Sequence, residues 1–186
     1  MIYKQLYFYV VLSFLFLSGC AHYGDNLPAT GAQVKPNAAT VNGLSESDRK
    51  RLQEEMTLIQ GRITECTRKE LNTRDGKTVN SQILALSENN PVVNRLMVSG
   101  QRITPAQKAS LQRYIKQTEH CRAIAKQINQ ERLLAVYTRY FAGADVVYGD
   151  LLSGKSTIGL ANQRMQNLKL AARAQWAQAI NSLNGF

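Results

Sequence analysis

Apolar side chains in the first half of the chain recur at the spacing of one face of an α-helix. Over residues 45–71 they stand at intervals of 4, 3, 4 and 3 residues, at Leu52, Met56, Ile59, Ile63 and Cys66. A half-buried strand would need alternation at every second residue, so this period predicts one long amphipathic helix. Ser45 and Ser47 are its candidate N-caps.

Similar helix signals recur through the rest of the chain. Thr104-Pro105 is a typical helix start, and the apolar stripe after it continues to Gly143, which is expected to bend or break the helix. Residues 153–157 predict a tight helical hairpin, with Gly154 in the left-handed region, and 158–183 predict a last helix.

The connecting stretches are shorter. Residues 74–77 predict a turn, and residues 80–100 predict two short helices, with Ile83, Leu84 and Leu86 in the first of them. Strand-type alternation is nearly absent. The predicted fold of residues 46–186 is therefore an all-α bundle of three main helices plus short helices.

The start of the chain predicts export. A short apolar run follows Lys4 and ends in Leu17-Ser18-Gly19-Cys20. It is too short to span a bilayer and fits the apolar region of a signal peptide. The last four residues resemble the lipobox of bacterial lipoproteins. That resemblance implies removal of residues 1–19 and attachment of lipid, including palmitate, to Cys20.

The residue after Cys20 is Ala21 rather than aspartate, which by the sorting rule of these lipoproteins implies the outer membrane. The folded domain is then expected to face the periplasm, with surface exposure as an open alternative. Residues 20–45 are rich in Gly, Pro, Asn, Ala and Thr and predict a flexible lipidated tether. His22 lies in this segment and is interpreted as solvated.

Cys66 and Cys121 remain once Cys20 carries lipid. Both fall on apolar helix stripes, and an exported protein meets an oxidising compartment. The two cysteines are therefore predicted to form a disulfide, with two buried thiols as the alternative.

The basic residues are unevenly placed in a chain of net charge +10. Two stretches, 89–118 and 151–186, contain bases and no acid, and they would form a basic face if they packed together. Its predicted contacts are anions such as lipopolysaccharide, anionic lipid or an acidic protein. Nucleic acid is disfavoured, because no aromatic platform is interleaved with the bases. The predicted anion-contact residues are Arg95, Arg102, Lys108, Arg113, Lys116, Lys155, Arg164, Lys169 and Arg173.

One stretch imitates a nucleotide-binding motif. Residues 149–156, from Gly149 to Ser156, match G-x-x-x-x-G-K-[ST], but no β-α-β alternation surrounds them, so we interpret the match as chance. His120 adjoins Cys121, yet neighbouring residues on a helix point in different directions, so they do not predict a catalytic pair. No catalytic constellation, metal site or cofactor other than the covalent lipid is predicted.

Aromatic and basic side chains cluster between residues 133 and 152. A bend at Gly143 would open a groove for a partner's amphipathic helix, with core packing as the alternative. The residues of this predicted partner-binding site are Tyr137, Arg139, Tyr140, Phe141, Tyr148 and Trp176.

These features favour a protein-interaction or assembly module of a cell-envelope complex, such as a secretion system. The design of anchor, stalk and small domain is similar to that of secretin-assembling lipoproteins. An envelope hydrolase acting on wall or lipid, and a binder of anionic envelope polymers, are the alternatives, and self-association stays open.

Overall fold

The computed structural model describes residues 45–183, which form helices and connecting loops and contain no strand. The all-helical prediction is confirmed. The described residues form six helices: α1 (Glu46–Leu71), α2 (Arg74–Gln82), α3 (Val93–Met97), α4 (Pro105–Ala125), α5 (Glu131–Leu152) and α6 (Ile158–Leu183). The predicted signal peptide, Cys20 and the tether up to residue 44 lie outside the described residues. None of the described helices combines the length and apolarity needed to cross a membrane.

The corner between α1 and α2 corrects the prediction of a turn over residues 74–77. These residues form the first turn of α2, because the Thr73 hydroxyl accepts a hydrogen bond from the Gly76 amide at 3.1 Å and caps the helix. Gly76 also lies against the end of α1, where a Cβ atom would collide with the Glu70 carbonyl oxygen. From the sequence alone the glycine in this stretch predicts a turn, whereas the structure has the capped start of a helix.

The segment after α2 is irregular, which corrects the placement of Ile83, Leu84 and Leu86 in a helix. In this segment, side-chain amides of asparagine residues form hydrogen bonds with backbone groups that a helix would have satisfied. Asn80 Oδ1 accepts from the Leu86 amide at 2.9 Å, and Asn162 Oδ1 accepts from the Ala85 amide at 2.7 Å. The Asn162 amide nitrogen donates to the Ile83 carbonyl at 2.7 Å. The apolar side chains are thereby buried without a helical backbone.

The second predicted main helix, which starts at Thr104-Pro105, is two helices, so the bundle has four long helices rather than three. The break falls at residues 126–130 and not at Gly143. Three successive amides at 126–128 bond to carbonyls three residues back, which tightens and ends α4, and Ile128 turns into the core. Helix α5 runs unbroken through Gly143, whose missing side chain leaves room for Leu168 of α6.

The predicted hairpin joins α5 to α6. Gly154 has a φ of 71°, in the left-handed region that glycine adopts without strain. The Thr157 hydroxyl accepts from the Leu160 amide at 3.3 Å and caps the start of α6. Contacts between Asp150 and Arg164 near the hairpin, and between Arg132 and Ser182 far from it, show that the two helices are antiparallel.

Two clusters of buried apolar residues form along the bundle. The first, which we call the cleft core, consists of Val79, Ile83, Leu84, Leu111, Tyr114, Ala144, Val147, Leu151, Ala161 and Met165. The second, the corner core, lies at the α4–α5 break and consists of Met56, Ile59, Ala125, Ile128, Leu133 and Ala179. Helices α5 and α6 contribute to both.

Candidate functional site

An open cleft of about 700 Å³ lies where α2, α3 and the loop before α4 meet the start of α6. It is lined by Ser81, Gln82, Val92, Arg95, Leu96, Ser99, Gly100, Gln101, Gln107 and Ile158. Its lining therefore combines aliphatic groups with hydroxyl, amide and guanidinium groups. Three of these residues are aliphatic and six are polar or charged, so the cleft offers mainly hydrogen-bonding groups above a small apolar area.

The floor of the cleft is fixed by the backbone. Leu96 and Ile158 are buried and form its apolar base. The Ile158 amide donates to the Gln101 carbonyl, and the Gly159 amide donates to the Ser99 carbonyl, each at 2.8 Å. These bonds satisfy amides at the start of α6 that have no partner within the helix. They also hold the 99–101 loop against the helix.

Gly159 is required for this close approach. A Cβ atom there would lie 2.7 Å from the Ser99 carbonyl oxygen and 2.9 Å from the Met97 carbonyl oxygen. Both neighbours are backbone atoms, which cannot rotate away as a side chain can. The position of the cleft loop therefore depends on a glycine buried beneath it.

The rim is held by side-chain hydrogen bonds. Gln107 Oε1 accepts from the Thr104 amide at 2.9 Å, which completes a capping box at the start of α4. Arg95 donates to the Ser81 carbonyl at 2.9 Å. The rim is thus assembled from α2, α3 and α4, and its polar groups are positioned before any ligand arrives.

The cleft carries positive charge only. Arg95 is the single charged residue of its lining, and Arg102 and Lys108 directly follow the lining residues Gln101 and Gln107. Val98, between the lining residues Leu96 and Ser99 in the sequence, is 83% exposed. Val98 is not itself part of the lining, but it is an exposed apolar side chain next to the lining residue Ser99 in the chain.

The structure gives the nine predicted anion-contact residues different environments. Three form ion pairs: Arg113 with Asp75, Arg164 with Asp150 and Arg173 with Glu88. Lys169 donates to the carbonyls of Ala85 and Leu86, and burial lowers its pKa. Besides Arg95, the exposed members without an ion pair to another described residue are Arg102, Lys108, Lys116 and Lys155.

The predicted aromatic site is mostly packed within the bundle. The rings of Tyr137 and Trp176 meet edge to face at 5.5 Å between α5 and α6, and Phe141 lies beneath the guanidinium of Arg122 at 5.2 Å. Burial raises the pKa of both Tyr140 and Tyr148. Arg139 is exposed on the same helix. These contacts are typical of a packed core. Core packing was the alternative to a partner-binding groove that the aromatic spacing left open.

A second cluster lies between α1 and α4. The sulfur atoms of Cys66 and Cys121 are at disulfide distance, and their Cα atoms are 5.6 Å apart. His120 Nε2 lies 3.7 Å from Cys121 Sγ and 3.7 Å from Glu70 Oε1. His120 is exposed and Cys121 is buried, so the two residues lie on different sides of α4, although the imidazole ring still reaches close to the sulfur.

Sequence reasoning missed most of the cleft, including Ser81, Gln82 and Gln107. The available signal was the Ser99-Gly100-Gln101 loop just before the capped start of α4. The stretch from Gly149 to Ser156 forms the last turn of α5 and the hairpin after it.

No protein-family model, curated protein or solved structure matches this chain.

Proposed function

We propose that this chain is a lipid-anchored lipoprotein of the bacterial outer membrane, facing the periplasm, and an assembly module of a cell-envelope complex. Its helical domain binds an extended, acidic segment of a partner protein in the cleft beside α6. The observation that carries the proposal is the combination of three features of the cleft. These are an apolar floor, uncharged polar side chains at the rim, and the guanidinium of Arg95, which has no acidic residue beside it in the lining.

The rim fits an extended peptide better than a packed helix. A helix satisfies its own backbone groups, whereas an extended chain presents free amides and carbonyls along its length. Gln101 carries a side-chain amide that both donates and accepts, the Gln82 amide nitrogen can donate, and the hydroxyls of Ser81 and Ser99 can accept and donate respectively beside their internal bonds. The cleft therefore offers hydrogen bonds of both kinds to a main chain.

The charge of the cleft selects an acidic segment. Arg95 has a planar guanidinium that pairs with a carboxylate through two parallel hydrogen bonds. Arg102 and Lys108 add attraction at longer range, and the lining contains no acid to oppose it. Apolar side chains of the segment would cover Leu96 and Ile158, with Val98 at the edge.

A matched pair of substitutions tests the cleft. Val98→Asp and Leu58→Asp each place a carboxylate on an exposed aliphatic position, 83% and 66% exposed respectively, the second on α1. Proteins co-purified from envelope extracts should be lost with Val98→Asp and kept with Leu58→Asp. Equal recovery with both variants would contradict binding at the cleft, and helical circular dichroism checks that both variants fold.

The anchor is tested separately. Cys20→Ala should abolish incorporation of labelled palmitate and release the chain from the outer-membrane fraction, because stable anchoring needs its acyl chains. Ser18→Ala, which keeps a small residue before the cut, is the control and should retain the label. Palmitate incorporation into Cys20→Ala would contradict lipidation at that residue.

A further inference from the structure

We propose that the Cys66–Cys121 pair is a redox-gated site for a divalent, thiophilic metal ion such as Zn²⁺. In the oxidised chain the two sulfur atoms bond to each other. In the reduced chain the two thiolates and the imidazole of His120 bind the metal, with the carboxylate of Glu70 as the fourth ligand. This site is independent of the cleft and of the proposed docking function.

The distances between the ligand atoms fit one small ion. The sulfur atoms of Cys66 and Cys121 and a ring nitrogen of His120 all lie within 4.8 Å of one another. In tetrahedral zinc sites with bonds of about 2.0–2.3 Å, neighbouring ligand atoms are about 3.3–3.8 Å apart. The two separations of 3.7 Å from His120 Nε2, to Cys121 Sγ and to Glu70 Oε1, fall within that range.

The two helices place the ligands on facing surfaces. Cys66 and Glu70 are four residues apart on α1 and therefore lie on the same side of that helix. His120 and Cys121 belong to the last turns of α4, which packs against α1. The backbone that positions the pair of sulfur atoms thus also positions the other two ligands.

Exposure makes the cluster accessible. The side chain of His120 is 63% exposed, so an ion or a reductant can approach from solvent, whereas that of Glu70 is 17% exposed. Cys121 is buried and Cys66 is partly exposed. Attack by an external thiolate is therefore expected at Cys66.

The gating step is a thiol–disulfide exchange with a dithiol reductant. A thiolate of the reductant attacks Cys66, the bond to Cys121 breaks, and the second reductant thiol displaces Cys66. The protein gains two electrons and two protons, and the reductant leaves as a cyclic disulfide. Binding of the metal ion then displaces the two thiol protons.

Cobalt spectroscopy tests the site. The purified chain is reduced with dithiothreitol, desalted without oxygen and titrated with Co²⁺, whose thiolate complexes absorb in the near ultraviolet. One equivalent should bind to the reduced chain and none to the oxidised chain, and Zn²⁺ should displace it. His120→Ala should weaken binding at least tenfold, whereas Glu119→Ala, next to it on α4, should bind Co²⁺ like the unaltered chain.

Two results would overturn the site. The first is the same Co²⁺ absorption from oxidised and reduced protein. The second is an equal affinity for Co²⁺ in the His120→Ala and Glu119→Ala variants, which would mean that the thiols bind the ion without the histidine. Circular dichroism follows the fold throughout. If reduction unfolds the chain, one equivalent of Zn²⁺ must restore the helical signal, and failure to do so also refutes the proposal.

Discussion

The two cores of the bundle differ in how they are closed. In the cleft core every residue is at most 3% exposed, and Asn162 lies buried beside it with its side-chain amide fully bonded. The corner core is smaller and less completely buried: Met56 and Ile59 are 4% exposed and Ala179 is 9% exposed. The difference indicates that side chains are more completely removed from solvent in the cleft core than in the corner core.

The largest expected difference between the cores comes from shortening one leucine in each. Leu111→Ala removes a side chain with no exposure from the cleft core and should lower the free energy of unfolding by about 3–5 kcal/mol, because a cavity remains. Leu52→Ala, at the partly buried edge of the corner core, should cost about 1 kcal/mol. Urea denaturation measures both, and equal costs would break the distinction between the cores.

A buried amide gives the next largest effect. Asn162→Ala leaves the Ala85 amide and the Ile83 carbonyl without their partners and should cost about 2–4 kcal/mol. Asn167→Ala, on the exposed side of the same helix, is the control and should change stability by less than about 0.5 kcal/mol. Similar losses in both variants, measured by thermal unfolding, would mean that the amide network does not hold the irregular segment.

These contrasts also explain what the sequence could and could not predict. Helix α6 was predicted with its bounds, because Gly154 and Thr157 mark its start by local chemistry. The break at residues 126–130 was missed, because it depends on burying Ile128 against distant helices. The cleft was missed for the same reason, since its lining comes from four separate stretches of the chain.

A smaller, pH-dependent effect is expected at the corner between α2 and α4. The guanidinium of Arg113 lies 2.8 Å from both Asp75 oxygens and lowers the pKa of that carboxyl. A lowered folded-state pKa means that the stabilisation is present above the unfolded pKa of about 3.9 and is lost as the pH falls through the folded value. Solvent screens the pair, because Arg113 is 57% exposed, so its contribution to stability should be small.

The measurement is the decrease in the free energy of unfolding that Asp75→Asn causes at pH 7 and at pH 3. The cost should shrink at the lower pH, because the unaltered carboxyl then also loses its charge. In an Arg113→Ala background the dependence on pH should be much weaker. A cost that grew on acidification would reverse the sign of this coupling and contradict the arrangement of the pair.

The docking function is tested most directly by photo-crosslinking in intact cells. A photoreactive residue at position 98, next to the lining residue Ser99 in the chain, should give an adduct of discrete mass with one partner protein, and the same residue at position 58 on α1 should not. Arg95→Ala should reduce the adduct from position 98, because it removes the guanidinium that pairs with the acidic segment. Adducts from position 58 but none from position 98, or an adduct unaffected by Arg95→Ala, would contradict the cleft as the binding site.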